Sequence, residues 1–366
     1  MNKYLSQKYS LLGINPKKED TFTSKLKAIF FNTNVHFILF GVISCLVAYL
    51  AVNKVIPDII PYSLQSSLAI SFALSIASVG FCLLMGYSGL ASLGTGGFIG
   101  IGSYSVHYVM HEAELPFGVA ILVALVVAAL IGVVVGFISL RIEGIYLVIL
   151  TLGLSEILRS IYMVLEDKIK VKNLEIFGME VKKQHSLYVV TIALVIVMIV
   201  TNNIINSPTG RAMLAMKNSV AAAQAMGISL IKYRLMAFVI CTMYAALSGV
   251  MVMITMRSIQ ASNASGYYAL ITSLNILAAV IIGGFKSIWG AVFGSFVMYG
   301  MQTAILQDIP FFVENPEFIT FISGGLVIVV VMFFPGGLAQ LLLEAKTKIK
   351  KLTKKIKEGI YGKDLG

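Results

Sequence analysis

Long apolar runs constrain this chain most, because ten of them approach the roughly 20 residues that cross the hydrocarbon core of a bilayer. Only 12% of the residues are charged, 58% are hydrophobic and the mean hydropathy is +0.90, which does not suit a surface facing water. The sequence therefore predicts an all-α polytopic membrane protein with about ten transmembrane helices. The runs cover approximately 36–56, 63–85, 90–110, 117–140, 144–165, 186–205, 233–256, 268–285, 288–306 and 318–334.

Two of the runs, 90–110 and 268–285, have many glycines or short flanks, which is also typical of broken or re-entrant helices inside a membrane protein. Helices in lipid gain little from hydrophobic association and instead pack closely through small residues. Glycine pairs spaced by four residues fit both a tightly packed functional core and ordinary helix packing. Such pairs are Gly96 and Gly100, Gly132 and Gly136, and Gly290 and Gly294.

The net charge of +11 is concentrated in the tails and in a few loops, which favours a membrane protein over a nucleic-acid-binding one. Positive loops lie on the cytoplasmic side, so the basic segment 206–234 is expected inside and the acidic loop near Glu314 outside. The lysine-rich loop 166–184 conflicts with this orientation. We expect a cytoplasmic tail over 1–35, a transmembrane domain over 36–340 and a basic cytoplasmic tail over 341–366. The protein would lie in the cell membrane of a prokaryote with both termini on the cytoplasmic side.

The segment 206–234 is too long for a simple connection between two helices, which usually needs about 2 to 8 residues. Its pattern predicts one short helix from Arg211 to Met226, preceded by Ser207 and Pro208 and ended by Gly227. One stripe of that helix would be apolar. The stripe contains Met213, Met216, Val220 and Ala223.

Several ordered motifs resemble one family, the branched-chain amino acid ABC permeases of the LivM type. The resemblance covers roughly residues 80–340, and the unmatched parts are the two tails. Its motifs are Gly86-Tyr-Ser-Gly-Leu-Ala-Ser-Leu-Gly, Phe98-Ile-Gly-Ile-Gly-Ser-Tyr104, Gly144-Ile-Tyr, Glu156-Ile-Leu-Arg159, Ser207-Pro-Thr-Gly-Arg, Ile282-Gly-Gly-Phe-Lys-Ser-Ile-Trp-Gly290 and Pro335-Gly-Gly-Leu338. The chain has Thr95-Gly96-Gly97 where that family usually has a His-Ala-Ala type sequence, which bears on the identity of the substrate.

The resemblance implies an ABC importer permease fold and a complex with a second permease subunit, which is a sibling or a copy of this chain. It also implies two cytoplasmic ATPase subunits and an external substrate-binding protein. The chain has no GxxxxGK[ST] motif, so ATP and Mg would bind the ATPase subunits and no cofactor would bind this chain. The segment 206–234 would be the coupling loop. Its candidate coupling residues are Arg211, Lys217, Ala222, Ala223 and Gly227.

Ionisable residues within a span are costly, so Glu156 and Arg159 are candidates for the translocation path or for an ion pair that stabilises the bundle. Thr272, Ser273 and Asn275 are further candidates, with hydrogen bonding between helices as the equally good interpretation. Thr95 is also a candidate for the path. His107 and His111 have metal-ligand spacing but no third ligand in register, so we expect residues of the membrane interface and no metal. The three cysteines predict neither disulfides nor a metal site.

Three classes of function remain open from the sequence. The first is the ABC permease without catalytic residues of its own, for branched-chain or related hydrophobic amino acids or, alternatively, for urea, nucleosides or sugars. The second is a secondary transporter or channel, for which the spans supply few ionisable residues beyond Glu156. The third is an intramembrane enzyme, but the chain lacks HExxH, GxSxG and paired carboxylates at membrane depth.

Overall fold

The computed structural model describes residues 33–52, 62–139, 144–171, 175–176, 179–180, 183–262 and 266–300, with isolated positions between 318 and 332. Helices make up most of these ranges. They are α1 (Thr33–Val52), α2 (Tyr62–Phe81), α3 (Thr95–His107), α4 (Phe117–Ser139), α5 (Ile145–Glu166), α6 (Ser186–Asn206), α7 (Pro208–Asn218), α8 (Val220–Ala225), α9 (Leu230–Met256), α10 (Leu270–Gly283) and α11 (Ile288–Ser295).

Three helices continue as π-helix, in which each backbone N–H bonds to the carbonyl five residues earlier. These π segments are Cys82–Ser88 after α2, Tyr108–Glu112 after α3 and Phe296–Gly300 after α11. A 3₁₀ turn at Lys183–His185 precedes α6. The strands are short: β1 (Lys168–Lys170) pairs antiparallel with β4 (Ser258–Gln260), and β2 (Glu175–Ile176) pairs antiparallel with β3 (Met179–Glu180).

Within the described ranges, six helices are long and apolar enough to cross a membrane: α1, α2 with its π segment, α4, α5, α6 and α9. They correspond to six of the ten predicted runs. The run predicted over 90–110 becomes α3, which starts at Thr95, and the run over 268–285 becomes the short α10. Only isolated positions of the predicted run 318–334 are described, and the tail predicted over 1–35 is described only from Thr33, where α1 begins. The acidic loop near Glu314, the tail 341–366 and the ninth run beyond 300 lie outside the described residues.

The centre of the bundle is formed by α2, α3 and α9, which are mostly buried, whereas α1, α4, α5 and α6 expose large apolar side chains. Small residues explain the central position of α3. A Cβ atom at Gly102 would overlap the carbonyl oxygen of Ala246 on α9, and one at Gly249 would overlap that of Ile99 on α3. Ser103 donates from Oγ to the Gly249 carbonyl at 2.9 Å. The two backbones are therefore in direct contact.

The six glycines that the spacing predicted as packing residues all lie close to another element. Two of them hold α10 and α11 together as a hairpin, since a Cβ at Gly290 would overlap the Gly283 carbonyl and one at Gly294 would overlap the Ala279 carbonyl. The other four are Gly96 against Ala269, Gly100 against the Tyr162 ring, Gly132 against Thr242 and Gly136 against Leu235 and Phe238.

The order of the elements defines two ends of the bundle. Residues 207–229, which we call the connector, join α6 to α9 at one end, where α2 also terminates. At the opposite end β1 follows α5 and β4 follows α9, and their pairing ties the two helices together. α1 begins at the connector end, because Asn34 exchanges side-chain hydrogen bonds with Asn202 and Asn203 near the end of α6.

Replacing Gly102 by alanine should destabilise the bundle by about 1–3 kcal/mol, because the added methyl group forces α3 away from the backbone of α9. A Cβ at Gly118 meets no atom within 4 Å, so Gly118→Ala is the matched control. The midpoint temperature of thermal unfolding is measured on the detergent-purified protein, with gel filtration used to follow unfolding. Equal midpoints for Gly102→Ala and Gly118→Ala would contradict the direct contact of α3 with α9.

Candidate functional site

The connector begins as the sequence predicts. Ser207 caps α7, its Oγ accepting a hydrogen bond from the Gly210 N–H at 3.4 Å, and Pro208 occupies the first helical position. Gly227 ends the second helix with φ +76°, a left-handed conformation that glycine adopts without strain.

The predicted single helix from Arg211 to Met226 is wrong, because the chain breaks it into α7 and α8 at Ser219. Ser219 is extended, with φ −156° and ψ 113°, and its Oγ accepts a hydrogen bond from the Ala222 N–H at 3.3 Å. A serine hydroxyl satisfies the first amides of a helix better than it serves a helix interior. The connector consequently contains two short helices separated at Ser219.

The break divides the predicted apolar stripe. Met213, Met216 and Ala223 are buried and pack in one cluster with Leu83 and Leu84 of the π segment after α2. Val220 belongs to the predicted stripe, but its side chain is 38% exposed. The remaining surface of α8 is small, exposed and uncharged: it consists of Ala221, Ala222, Gln224 and Ala225.

Lys217, at the end of α7, bends back toward the membrane helices. Its Nζ donates to the carbonyl oxygens of Met85 at 2.9 Å and of Gly86 at 2.8 Å. Burial lowers the pKa of Lys217, and the nearby charge of Lys286 acts in the same direction. The candidate coupling residue Arg211 stays exposed and donates to the Asn206 carbonyl at 3.2 Å.

The same π segment contacts the turn between α10 and α11. A Cβ at Gly86 would overlap the carbonyl oxygen of Phe285, so the two backbones touch. Cys82 donates from Sγ to that carbonyl at 3.1 Å, and Tyr87 donates from its hydroxyl to the Lys286 carbonyl at 3.2 Å. We call this contact region the junction: it comprises the π segment Cys82–Ser88, Lys217 and the turn Gly284–Ser287.

The first amides of α3 lie in the bundle interior and bind hydroxyl groups of two other helices. The Gly96 N–H donates to Ser273 Oγ of α10 and the Gly97 N–H donates to Ser155 Oγ of α5, both at 2.8 Å. Just before the helix, the Leu93 N–H donates to Thr151 Oγ1 of α5 at 3.0 Å. Side chains thus supply the acceptors that water supplies in a soluble protein.

Two residues predicted for the translocation path lie at or beside this capped helix start. Thr95 is buried as the first residue of α3, and Thr272 is buried next to Ser273. The Thr272 hydroxyl donates to the Gly266 carbonyl at 3.0 Å, and Asn275 lies half-buried one turn along α10. The structure therefore brings Thr95 and Thr272 to the same region of the interior.

Glu156 and Arg159 form the expected pair, with Arg159 Nη1 2.6 Å from Glu156 Oε1. Their surroundings differ. Arg159 is largely buried and also donates to the carbonyls of Ala261 at 3.1 Å and Ser262 at 3.2 Å. The Glu156 side chain is 47% exposed and lines an open groove on α5 with apolar neighbours that include Ile157, Ile161 and Val164.

His107, which the sequence predicts at the membrane interface, is buried at the end of α3. Its Nε2 lies 2.7 Å from Glu166 Oε2 and its Nδ1 lies 2.9 Å from the Lys170 carbonyl. It therefore fastens α3 to the end of α5 and to β1. Within the described part of the chain, no three His, Cys, Asp or Glu side chains cluster as metal ligands would.

Asp167 binds the chain after β4 at the end of the bundle opposite the connector. It accepts hydrogen bonds from the Ser262 N–H at 2.7 Å, from Gln260 Nε2 at 2.9 Å and from Ser262 Oγ at 3.0 Å. The bond from Gln260 lowers the pKa of Asp167 and those from Ser262 act in the same direction. Asp167 and Arg159 together fix the chain that follows β4.

Sequence reasoning selected Ser273 but missed Thr151 and Ser155, which also satisfy the amides at the start of α3. Both are hydroxyls in an apolar run, and this is the signal in the sequence, but their partners are far away along the chain. Gly86 and Gly249 were not selected because neither belongs to a spacing of four.

Comparison with known proteins identifies the family of this chain. Residues 63–331 match the family model described as "Branched-chain amino acid transport system / permease component". The chain belongs to this family. The matched range contains the connector, the junction and the capped start of α3, so all three are parts of the family domain. The permease is thus a multi-pass membrane protein.

Two curated relatives are LivM proteins described as high-affinity branched-chain amino acid transport system permease proteins. The one from Salmonella typhimurium LT2 is 27% identical over 295 residues, which covers 72% of this permease and 67% of the relative. The one from Escherichia coli K12 is 26% identical over the same length, with the same coverage. The comparison with solved structures finds no significant match.

In this permease, Arg159→Gln should lower the yield of folded protein more than Glu156→Gln. The first change leaves two carbonyls and a carboxylate without their donor, and each hydrogen bond to a charged group contributes about 1.5–3 kcal/mol. The second change leaves Arg159 with the Ala261 and Ser262 carbonyls.

The measurement is a double-mutant cycle on folded yield in detergent. The double variant should resemble Arg159→Gln, because the loop carbonyls lose their donor in both. Equal losses for the two single variants, with full recovery in the double variant, would contradict this prediction and favour a pair that acts alone.

Proposed function

We propose that this permease is the membrane-spanning subunit of an ABC importer that moves branched-chain amino acids by alternating access. Separate ATPase subunits drive it. The observation that carries the proposal is the connector, whose buried methionines pack on the membrane helices while α8 presents a small, uncharged surface outward. A surface of alanines at the end of the bundle suits insertion into a cleft of a soluble motor protein.

The substrate class follows from the names of the two LivM relatives and from the family description. The permease domain would contain about ten spans, of which α3 and α10 are short and lie against other helices. We assign no catalytic step to it. Its ATPase partners would bind ATP and Mg, because the sequence has no GxxxxGK[ST] loop.

The complex would contain a second permease subunit, two cytoplasmic ATPase subunits and an external substrate-binding protein. The connector would be the coupling helix region and would face the cytoplasm, which also places the start of α1 on the cytoplasmic side. The opposite end, with the β1–β4 pair, would face the binding protein. The orientation rests on the basic residues of the connector region, which include Arg211 and Lys217.

Ala222→Glu should reduce uptake of branched-chain amino acids while leaving assembly of the membrane domain intact. The side chain of Ala222 is exposed on α8, so the charge meets the motor protein and not the core. Ala222→Ser, which keeps the same position small and uncharged, is the matched control. Uptake and ATP hydrolysis are measured on the complete complex in proteoliposomes, and unchanged uptake by Ala222→Glu would show that α8 is not the coupling surface.

Single cysteines placed at the two ends test the orientation. In intact cells, an impermeant maleimide should label a cysteine at Glu112 and should not label one at Gln224 unless the cells are opened. Both positions are exposed and lie at opposite ends of the bundle. The background carries serine at Cys45, Cys82 and Cys241. Labelling of a cysteine at Gln224 in sealed cells would show that the orientation is the opposite of the one proposed.

A further inference from the structure

We propose that Lys217 transmits movement of the connector into the membrane domain, by holding the π segment after α2 against the turn between α10 and α11. Lys217 would thus be a positioning residue that acts on the membrane side of the connector, not a ligand of the ATPase. The proposal rests on the coupling role of the connector proposed above.

The first step is the pair of hydrogen bonds from Lys217 to the end of the π segment after α2. The last carbonyls of a helix have no partner within the helix, and this end of the helix dipole is negative. Lys217 Nζ satisfies two of them, Met85 and Gly86, from a different element. Since its partners are neutral carbonyls, the ammonium is held more weakly than by a carboxylate, and water can replace it when the connector moves.

The second step is the backbone contact between Gly86 and Phe285. No side chain fits between the two segments, so a displacement of the π segment displaces the turn. Cys82 and Tyr87 add hydrogen bonds to the carbonyls of the same turn. Gly86, one of the two residues that Lys217 binds, is therefore also the residue that touches the turn.

The third step leads from the turn to the interior. The turn begins at Gly284, with φ +103°, and joins α10 to α11, whose backbones are in contact through Gly283 and Gly290. The hairpin is thus a stiff unit. Its α10 carries Ser273, whose Oγ accepts the hydrogen bond from Gly96 at the start of α3. A rigid movement of the hairpin must change that capped helix start.

Lys286 makes the arrangement sensitive to displacement. It lies in the turn, and its charge opposes that of Lys217 across the junction. The two hydrogen bonds of Lys217 offset this repulsion as long as Met85 and Gly86 remain in reach. When the connector withdraws, the bonds break and the repulsion favours separation of the connector from the turn.

The experiment compares Lys217→Met with Lys217→Arg and with Lys232→Met in the complete transporter in proteoliposomes. Lys232 is exposed in the first turn of α9, and its Nζ lies 5.8 Å from the Tyr233 ring, so its loss controls for removal of one positive charge. The ratio of solute taken up to ATP hydrolysed should fall roughly tenfold in Lys217→Met, the scale set by losing charge-assisted hydrogen bonds. Lys217→Arg should recover most of this ratio, and the ratio in Lys232→Met should match that of the wild type.

A second readout follows the junction itself. Cys82 is fully buried, with its Sγ on the Phe285 carbonyl, so opening of the junction should make it reactive toward a hydrophilic maleimide. The background carries Cys45→Ser, and the buried Cys241 reports general unfolding. Lys217→Met should speed the alkylation of Cys82 and not that of Cys241. Gly86→Ala, which separates the same backbones without changing charge, should give the same pattern.

The outcomes separate this inference from the proposed function. If Ala222→Glu abolishes uptake but Lys217→Met keeps both the wild-type ratio and the slow alkylation of Cys82, the connector couples by another route and the inference is wrong. A normal ratio in Lys217→Met with unaffected Ala222→Glu would refute both. Equal acceleration of alkylation at Cys82 and Cys241 would show that Lys217 is needed only for folding, which also overturns the inference.

Discussion

Backbone groups at helix ends need hydrogen-bond partners from outside the helix, and the described bundle is arranged around two such ends. One is the start of α3, whose amides lie among buried side chains, and the other is the end of the π segment after α2, whose carbonyls lie at the connector end. An unsatisfied group in hydrocarbon costs several kcal/mol. The buried start of α3 therefore has to be closed by other helices, and the carbonyls at the connector end are closed by Lys217.

The elements that close these ends come from distant parts of the chain. Hydroxyls of α5 and α10 accept from the amides of α3, and a lysine of α7 donates to the carbonyls after α2. Both helix ends thereby determine where their partner helices lie. Glycines complete the effect, because Gly102 and Gly249 let α3 approach α9 closely enough for those bonds to form. Small residues and hydroxyls do here what apolar burial does in a soluble core.

The sequence predicts what depends on one segment at a time. The six long spans, the cap at Ser207 and the glycine end at Gly227 follow from hydropathy, capping preference and turn geometry. The break at Ser219 was missed because the alanine-rich pattern continues through it, and the burial of His107 was missed because its partner Glu166 lies on another helix. Contacts such as Lys217 with Gly86 pair residues 131 apart, and no local pattern encodes them.

Helix α10 links the two closed helix ends mechanically, because it contacts both of them. Its C-terminal turn touches Gly86 at the junction, and its first turn carries Ser273 against the start of α3. A helix that is bound at both ends and stiffened by close contact with α11 cannot absorb a displacement internally, because packed backbones have discrete arrangements and little compressibility. Movement at the connector end must then appear at the start of α3 or break one of the two contacts.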